Sequence, residues 1–258
     1  MNQDTPRPRR RGIYLLPNLL TTVALFFGFY AVVAANNDAY QTAAIAIFVA
    51  MVMDGMDGRV ARLTNTQSDF GVQYDSIADM VSFGIAPSLV MYQWALRDLA
   101  ELGEFWAKLG WLGAFVYTAC AGLRLARFNT QAGVADKRFF QGLPSPAAAA
   151  TLAGMVWAGN RLDFGGWGAG VPAFLLVVAA GILMVSNVRY YSFKEVDFRY
   201  RVPFIVIVLL VLVVALTSVH PPTVLFLVAL GYMGSGPVLT VILRRRRLRA
   251  RHQHHHHP

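Results

Sequence analysis

The stretch D-G-M-D-G-R-V-A-R-L-T-N-T-Q-S-D-F-G-V-Q-Y-D-S-I-A-D, residues 54–79, decides how the rest of the chain is read. Its fixed points are Asp54, Asp57, Gly58, Ala61, Arg62, Gly71, Asp75 and Asp79. An apolar run from Ala43 to Met53 leads into it and another, Ile77 to Leu96, leads out, so four carboxylates stand at the ends of two membrane-length segments. Residues three or four apart on a helix share a face. Asp54 and Asp57 therefore point together, while Gly71, Asp75 and Asp79 form a second stripe at intervals of four. A turn within Leu63 to Phe70, which holds Asn65 and Ser68, can fold the two helices into an antiparallel pair with the carboxylates converging.

Four ionised aspartates crowded together at a bilayer repel one another, and each costs roughly 2.5–3.5 kcal/mol at a helix centre. Arg59 and Arg62 offset only part of this. One or two hard divalent cations take oxygen ligands and suit an all-carboxylate set. No cysteine or histidine accompanies the cluster, which argues against zinc, so the expected cofactor is magnesium or manganese. The absent side chains of Gly58 and Gly71 let backbone or ligand approach closely, and Arg62 offers a fork for a phosphate oxygen. Metal, phosphate and a free carboxylate base together point to phosphoryl-type transfer.

Composition sets the class. Of 258 residues 56% are hydrophobic and only 14% charged, and the mean hydropathy is +0.46, too apolar for an ordinary soluble domain of this length. The expected fold is an all-α polytopic membrane bundle. Eight membrane-length segments can be marked: Leu15 to Ala35, Tyr40 to Met56, Ile77 to Leu96, Trp106 to Leu125, Ser145 to Gly159, Val171 to Asn187, Val202 to Val219, and Thr223 to Leu243. They make one domain, 15–243, between a basic arm, 1–14, and a polybasic, histidine-rich tail, 244–258. Arg7, Arg9, Arg10 and Arg11 precede a span of full length without a small-residue cleavage site, which argues against a signal peptide.

An even count of spans puts both termini on one side. With that side cytoplasmic, all of the 23 lysines and arginines except Arg97, Lys108 and Arg161 fall inside, as the positive-inside rule requires. The aspartates then lie at the cytoplasmic face, where water-soluble substrates reach them. The net charge of +9 is explained by this topology and by anionic lipid; the arginines are not interleaved with aromatics along one face, so no nucleic-acid partner is expected. The lone cysteine, Cys120, allows no disulfide within one chain.

A second informative stretch follows the fourth span: G-L-R-L-A-R-F-N-T at Gly122 to Thr130, then K-R-F-F-Q-G-L-P-S-P-A-A-A-A from Lys137 to Ala150. Arg124 and Arg127 can share a helix face on the side of the aspartates and hold a lipid phosphate or a substrate carboxylate, with Asn129 beside them. Anchoring by the positive-inside rule is the alternative for both arginines. Near the start, Asn18 reads either as a helix cap after Pro17 or as a nucleotide contact. His220 lies on the side opposite the aspartates, and His254 to His257 form a polar tail segment outside the fold.

The spacing D-x2-D-G-x2-A-R-x8-G-x3-D-x3-D resembles the signature of the CDP-alcohol phosphotransferases at all eight fixed positions. Within that family, R-L-A-R-F-N followed by F-x-G-L-P-S-P-A-A-A, together with D-G-R-V-A-R and S-x-A-D-x-V-S-F-G-x-A-P between Asp57 and Pro87, is similar to the membrane-integrated branch that forms phosphatidylserine. The resemblance covers roughly Leu15 to Thr151. It implies transfer of a phosphatidyl group from CDP-diacylglycerol to L-serine with release of CMP. It makes Asp54, Asp57 and Asp75 the main metal ligands, and Asp79 the general base, touching a second metal as well. Gly58, Ala61, Arg62 and Gly71 would line the CDP site, with Asn18 beside it. It further implies a homodimer, and a bacterial inner membrane is the expected location.

Two other readings are open. Glycerol 3-phosphate or an inositol phosphate could be the acceptor, because only the 122–150 stretch argues for serine. The carboxylates could instead line a divalent-cation path, although the other segments are nearly bare of acids.

Overall fold

A computed structural model describes residues 15–64, 68–131, 139–191, 212 and 215–254. The basic arm, the expected span Val202 to Val219 apart from residue 212 and residues 215–219, and the last four residues lie outside them. The described chain is mostly helical. In order it forms α1 (Leu15–Asn36), α2 (Tyr40–Leu63), α3 (Asp69–Asp79), α4 (Ala86–Met91), α5 (Glu104–Gln131), α6 (Ser145–Arg161), α7 (Gly166–Val185) and α8 (Pro221–His254). A wide π turn, Met80–Ile85, joins α3 to α4; a second, Tyr92–Leu96, and a 3₁₀ turn, Arg97–Leu102, follow. Two short strands, β1 (Phe139–Gln141) and β2 (Arg189–Tyr191), pair antiparallel.

Four helices among the described residues have the length and composition to cross a membrane: Leu16–Asn36, Glu104–Thr130, Gly166–Val185 and Pro221–Val241. The other expected spans that are described are helical but differ in kind. α2 carries Asp54, Asp57, Arg59 and Arg62 in its second half, the 77–96 segment is interrupted by the π turns, and α6 has 17 residues, about 26 Å of rise. α6 is instead central. Nearly all of Ser145 to Gly159 is buried, and the helix packs on α2, α4 and α8.

Small side chains bring the helices together. Ala31, Ala34 and Ala35 of α1 and Ala43, Ala44 and Ile47 of α2 belong to one core, and α1 and α2 form the most extensive helix pair. Between apolar helices in lipid, such residues let backbones approach where no hydrophobic drive exists. Near the middle of α1, a Cβ on Gly28 would stand 2.8 Å from the Ser82 Cα, so α1 lies directly on the π turn that follows Asp79. Ser82 Oγ also donates to the Ala24 carbonyl at 3.1 Å.

Several boundaries depart from the sequence expectation. α1 starts by Leu15, so Asn18 stands within its first turn and is not the cap. Pro17 is tolerated there because its missing N–H needs no intrahelical partner. α5 continues past the expected end of the fourth span at Leu125, through Arg127 and Asn129; neither residue breaks a helix. α7 begins at Gly166, ahead of the expected Val171, and α8 continues through the arginines expected to form the tail. The strand pair was not anticipated at all. Gly142, at φ +79°, turns the chain off β1 where a Cβ would collide with the Met184 carbonyl. Its N–H bonds the Val188 carbonyl at 2.8 Å, and the Leu143 N–H bonds that of Leu183 at 2.9 Å.

Candidate active site

The aspartates come from two helices that follow one another in the chain. α2 ends at Leu63, and α3 begins at Asp69 behind Ser68, whose hydroxyl accepts the Gly71 N–H at 3.0 Å as a helix N-cap. With the two helices fixed in this way, Asp54, Asp57 and Asp75 each offer a carboxylate oxygen within 4.8 Å of the others. Asp79, one turn beyond Asp75, has its carboxyl within hydrogen-bonding reach of Asp54. The α-helical period thus brings all four expected carboxylates into one volume.

Their surroundings are uneven. Asp57 is buried, with only 5% of its surface exposed, whereas Asp54, Asp75 and Asp79 are half-buried. Thr21 of α1, itself 4% exposed, donates its hydroxyl to Asp57 Oδ2 at 2.7 Å. Asp75 Oδ1 is buried and has no hydrogen-bond partner among the described residues. An unpartnered buried carboxylate oxygen is costly unless something positive meets it. The donor set is all oxygen, close-set and anionic, with one such orphan among its atoms, and it fits a hard divalent cation.

A pocket of about 250 Å³ opens beside the cluster, lined by Pro17, Asn18, Thr21, Asp57, Gly58, Ala61, Ser68, Gly71, Val72 and Asp75. It gathers Asn18, Gly58, Ala61 and Gly71, four residues expected at a nucleotide. Nothing lies within 4 Å of a Cβ built on Gly58, so that glycine faces open space. Arg62 is outside the lining, exposed, with its Nε donating to the Gly58 carbonyl of its own helix at 2.9 Å.

Arg124, Arg127 and Asn129 of α5 go to separate partners. Arg124 is half-buried; one terminal nitrogen donates to Ser145 Oγ, and its charge acts on Asp79. Its Nε is buried with no hydrogen-bond partner among the described residues. Arg127 turns to the strand pair, donating to Gln141 Oε1 at 2.6 Å, Asn187 Oδ1 at 2.7 Å and the Val185 carbonyl at 3.3 Å. Asn129 donates to Ser76 Oγ at 3.0 Å and ties α5 to α3. Of the three, Arg124 is the one whose charge is coupled to an aspartate, Asp79.

Sequence reasoning missed Thr21. A signal existed: Thr21 follows Asn18 by three residues and so shares its helix face. What could not be read was which residue of α2 that face meets.

A model of the CDP-alcohol phosphatidyltransferases matches residues 14–233. The chain belongs to that family. Curated relatives agree. A CDP-diacylglycerol–serine O-phosphatidyltransferase of Helicobacter pylori (strain ATCC 700392 / 26695) is 35% identical over 78% of this chain and 82% of its own length. Those of Mycobacterium tuberculosis (strain ATCC 25618 / H37Rv) and Bacillus subtilis (strain 168) are each 31% identical, over 88% and 70% of this chain and 79% and 92% of their own lengths. As a CDP-alcohol phosphatidyltransferase with four membrane-length apolar helices, the protein is an integral membrane enzyme. Its pocket and aspartate cluster lie wholly within the matched residues.

Proposed function

We propose that this enzyme transfers the phosphatidyl group of CDP-diacylglycerol to the hydroxyl of L-serine, giving phosphatidylserine and CMP. The observation that carries the reading is the meeting of three carboxylates within 4.8 Å of one another beside a pocket lined by Asn18, Gly58, Ala61 and Gly71. Serine as acceptor is supported by the names of the three relatives and by the R-L-A-R-F-N stretch of α5.

In this reading Asp54, Asp57 and Asp75 hold magnesium or manganese, with Asp79 beside a second ion where two bind. The bound cation would supply Lewis-acid stabilisation to pyrophosphate oxygens. Asn18, Gly58, Ala61 and Gly71 line the space for the cytidine diphosphate, and the terminal nitrogens of Arg62 take a phosphate oxygen. Asp79 accepts the proton of the serine hydroxyl as its oxygen forms a bond to the phosphorus that carries diacylglycerol and the bond from that phosphorus to CMP breaks. Arg124 holds the serine carboxylate or a lipid phosphate. Arg127 and Asn129, engaged with Gln141, Asn187 and Ser76, keep α5 in place for it. The pocket and both termini face the cytoplasm of a bacterial inner membrane, and the enzyme works as a homodimer, as the family resemblance implies.

The test follows CMP release from CDP-diacylglycerol by the purified protein in detergent with manganese or magnesium, offering serine, glycerol 3-phosphate or an inositol phosphate as sole acceptor. Release that needs both metal and serine is the expected result. Release driven by another acceptor overturns the assignment of serine and leaves the aspartate roles standing.

A further inference from the structure

We propose that Thr21 is a positioning residue that fixes the rotamer of Asp57 for metal binding; the inference rests on the reading of the aspartates as metal ligands. Thr21 lies 36 residues from Asp57 on a different helix, and no spacing in the aspartate stretch includes it. Its Oγ is 2.7 Å from Asp57 Oδ2 and 3.1 Å from the Pro17 carbonyl. One hydroxyl carries one hydrogen, and the shorter, charge-assisted contact to the carboxylate is the stronger claim on it.

The geometry of the contact is what a ligand orienter needs. A threonine in a helix has few χ1 choices, and Thr21 and Asp57 are both buried, at 4% and 5% exposure, so little bulk water competes for the bond between them. A hydrogen bond to Oδ2 leaves Oδ1 and the remaining lone-pair capacity of Oδ2 to face a cation. Partners that orient a ligating carboxylate in this way contribute about 10–100-fold to metal affinity when tested by mutation. The neighbouring Thr22 supplies an internal contrast. Its hydroxyl meets the Tyr74 hydroxyl at 2.9 Å and the Asn18 carbonyl at 2.7 Å, and it is exposed. It therefore joins α1 to α3 without touching an aspartate.

The experiment titrates the purified full-length protein in detergent with Mn²⁺ alone, reading free ion by electron paramagnetic resonance, with no substrate and no turnover. Thr21→Val keeps the branched shape and loses the hydroxyl; its Mn²⁺ affinity is expected to fall about 10–100-fold. Thr21→Ser restores the hydroxyl and is expected to stay within about threefold of the parent, as is Thr22→Val. Should Thr21→Val lose its native melting transition, Thr21→Ala, which adds no apolar bulk against the carboxylate, takes its place with the same expected loss.

Parent-like affinity in Thr21→Val, or an equal loss in Thr21→Ser or Thr22→Val, overturns the positioning role. Asp57→Asn separates that failure from failure of the metal reading. Mn²⁺ binding lost in Asp57→Asn but kept in Thr21→Val removes Thr21 alone, while a parent protein that binds no Mn²⁺, or an Asp57→Asn variant that binds like the parent, removes both.

Discussion

Two regions of the molecule use their polar side chains in opposite ways. At the α2–α3 turn, acidic side chains from two helices meet one another beside a pocket, and Asp75 Oδ1 is left with no hydrogen-bond partner among the described residues. At the end of α5, Arg127 and Asn129 are engaged by their own scaffold, in Gln141, Asn187, the Val185 carbonyl and Ser76. Carboxylates gathered at one point form a donor set that a cation fits, whereas charge met by neutral oxygens marks a folded joint. Arg124 falls between these cases, with one bond to Ser145 and a charge coupled to that of Asp79.

The largest expected effect removes the cation. Chelation with excess EDTA should abolish CMP release and readdition of Mg²⁺ or Mn²⁺ restore it, with the circular dichroism spectrum unchanged. Asp57→Ala should be inactive at any metal concentration that rescues the chelated parent. Next, Asp79→Asn should slow CMP release about 10²–10⁴-fold, the range for a lost general base, with CDP-diacylglycerol binding retained. A near-normal rate would end the assignment of Asp79 as base.

The arginines sharpen the comparison. Arg124→Ala should raise the KM for serine roughly tenfold or more, because a charge-assisted hydrogen bond contributes about 1.5–3 kcal/mol. Arg127→Ala should leave that KM unchanged while lowering Tm, by about 2–4 °C for each kcal/mol lost. The reverse pattern would exchange the roles of the two residues. The smallest effect is expected on the opposite side of the bundle, where Arg97 meets Asp38 at 3.3 Å with both side chains substantially exposed. Arg97→Ala should change stability by no more than about 1 kcal/mol and leave turnover alone. The carboxyl of Asp38 is held below its ordinary range, first by the Tyr40 hydroxyl and further by Arg97. Its contribution is therefore complete above the unperturbed value of 3.8 and is lost as pH falls through the lowered one.

The same contrast explains what could be read in advance. Asp54, Asp57, Asp75 and Asp79 were legible as a convergent set because helix period and one short turn determine where they go. Gly58, Ala61 and Gly71 came with them for the same reason. Arg127 was not legible, because its partners Gln141 and Asn187 arrive through the pairing of β1 with β2, and three-residue strands leave no alternating pattern long enough to notice. Thr21 was missed because its contact depends on the rotation of α1 against α2, which small alanines permit in many settings. Span counting succeeded for α1, α5, α7 and α8, where hydropathy and length coincide. For α6, nearly all of which is buried in protein, hydropathy and length do not by themselves establish a span.

The π turn at Met80–Ile85 stands directly after Asp79. Each such turn admits one residue more than an α-helix would, so it advances the angular phase of everything beyond it by about 100°. The carboxylate face of α3 and the buried face of α4 consequently keep separate registers, and neither the carboxylate end nor the packing end has to compromise for the other. Deleting a single residue from this turn would leave the composition of the segment nearly intact while rotating one half of the helix against the other, an error of timing and not of chemistry.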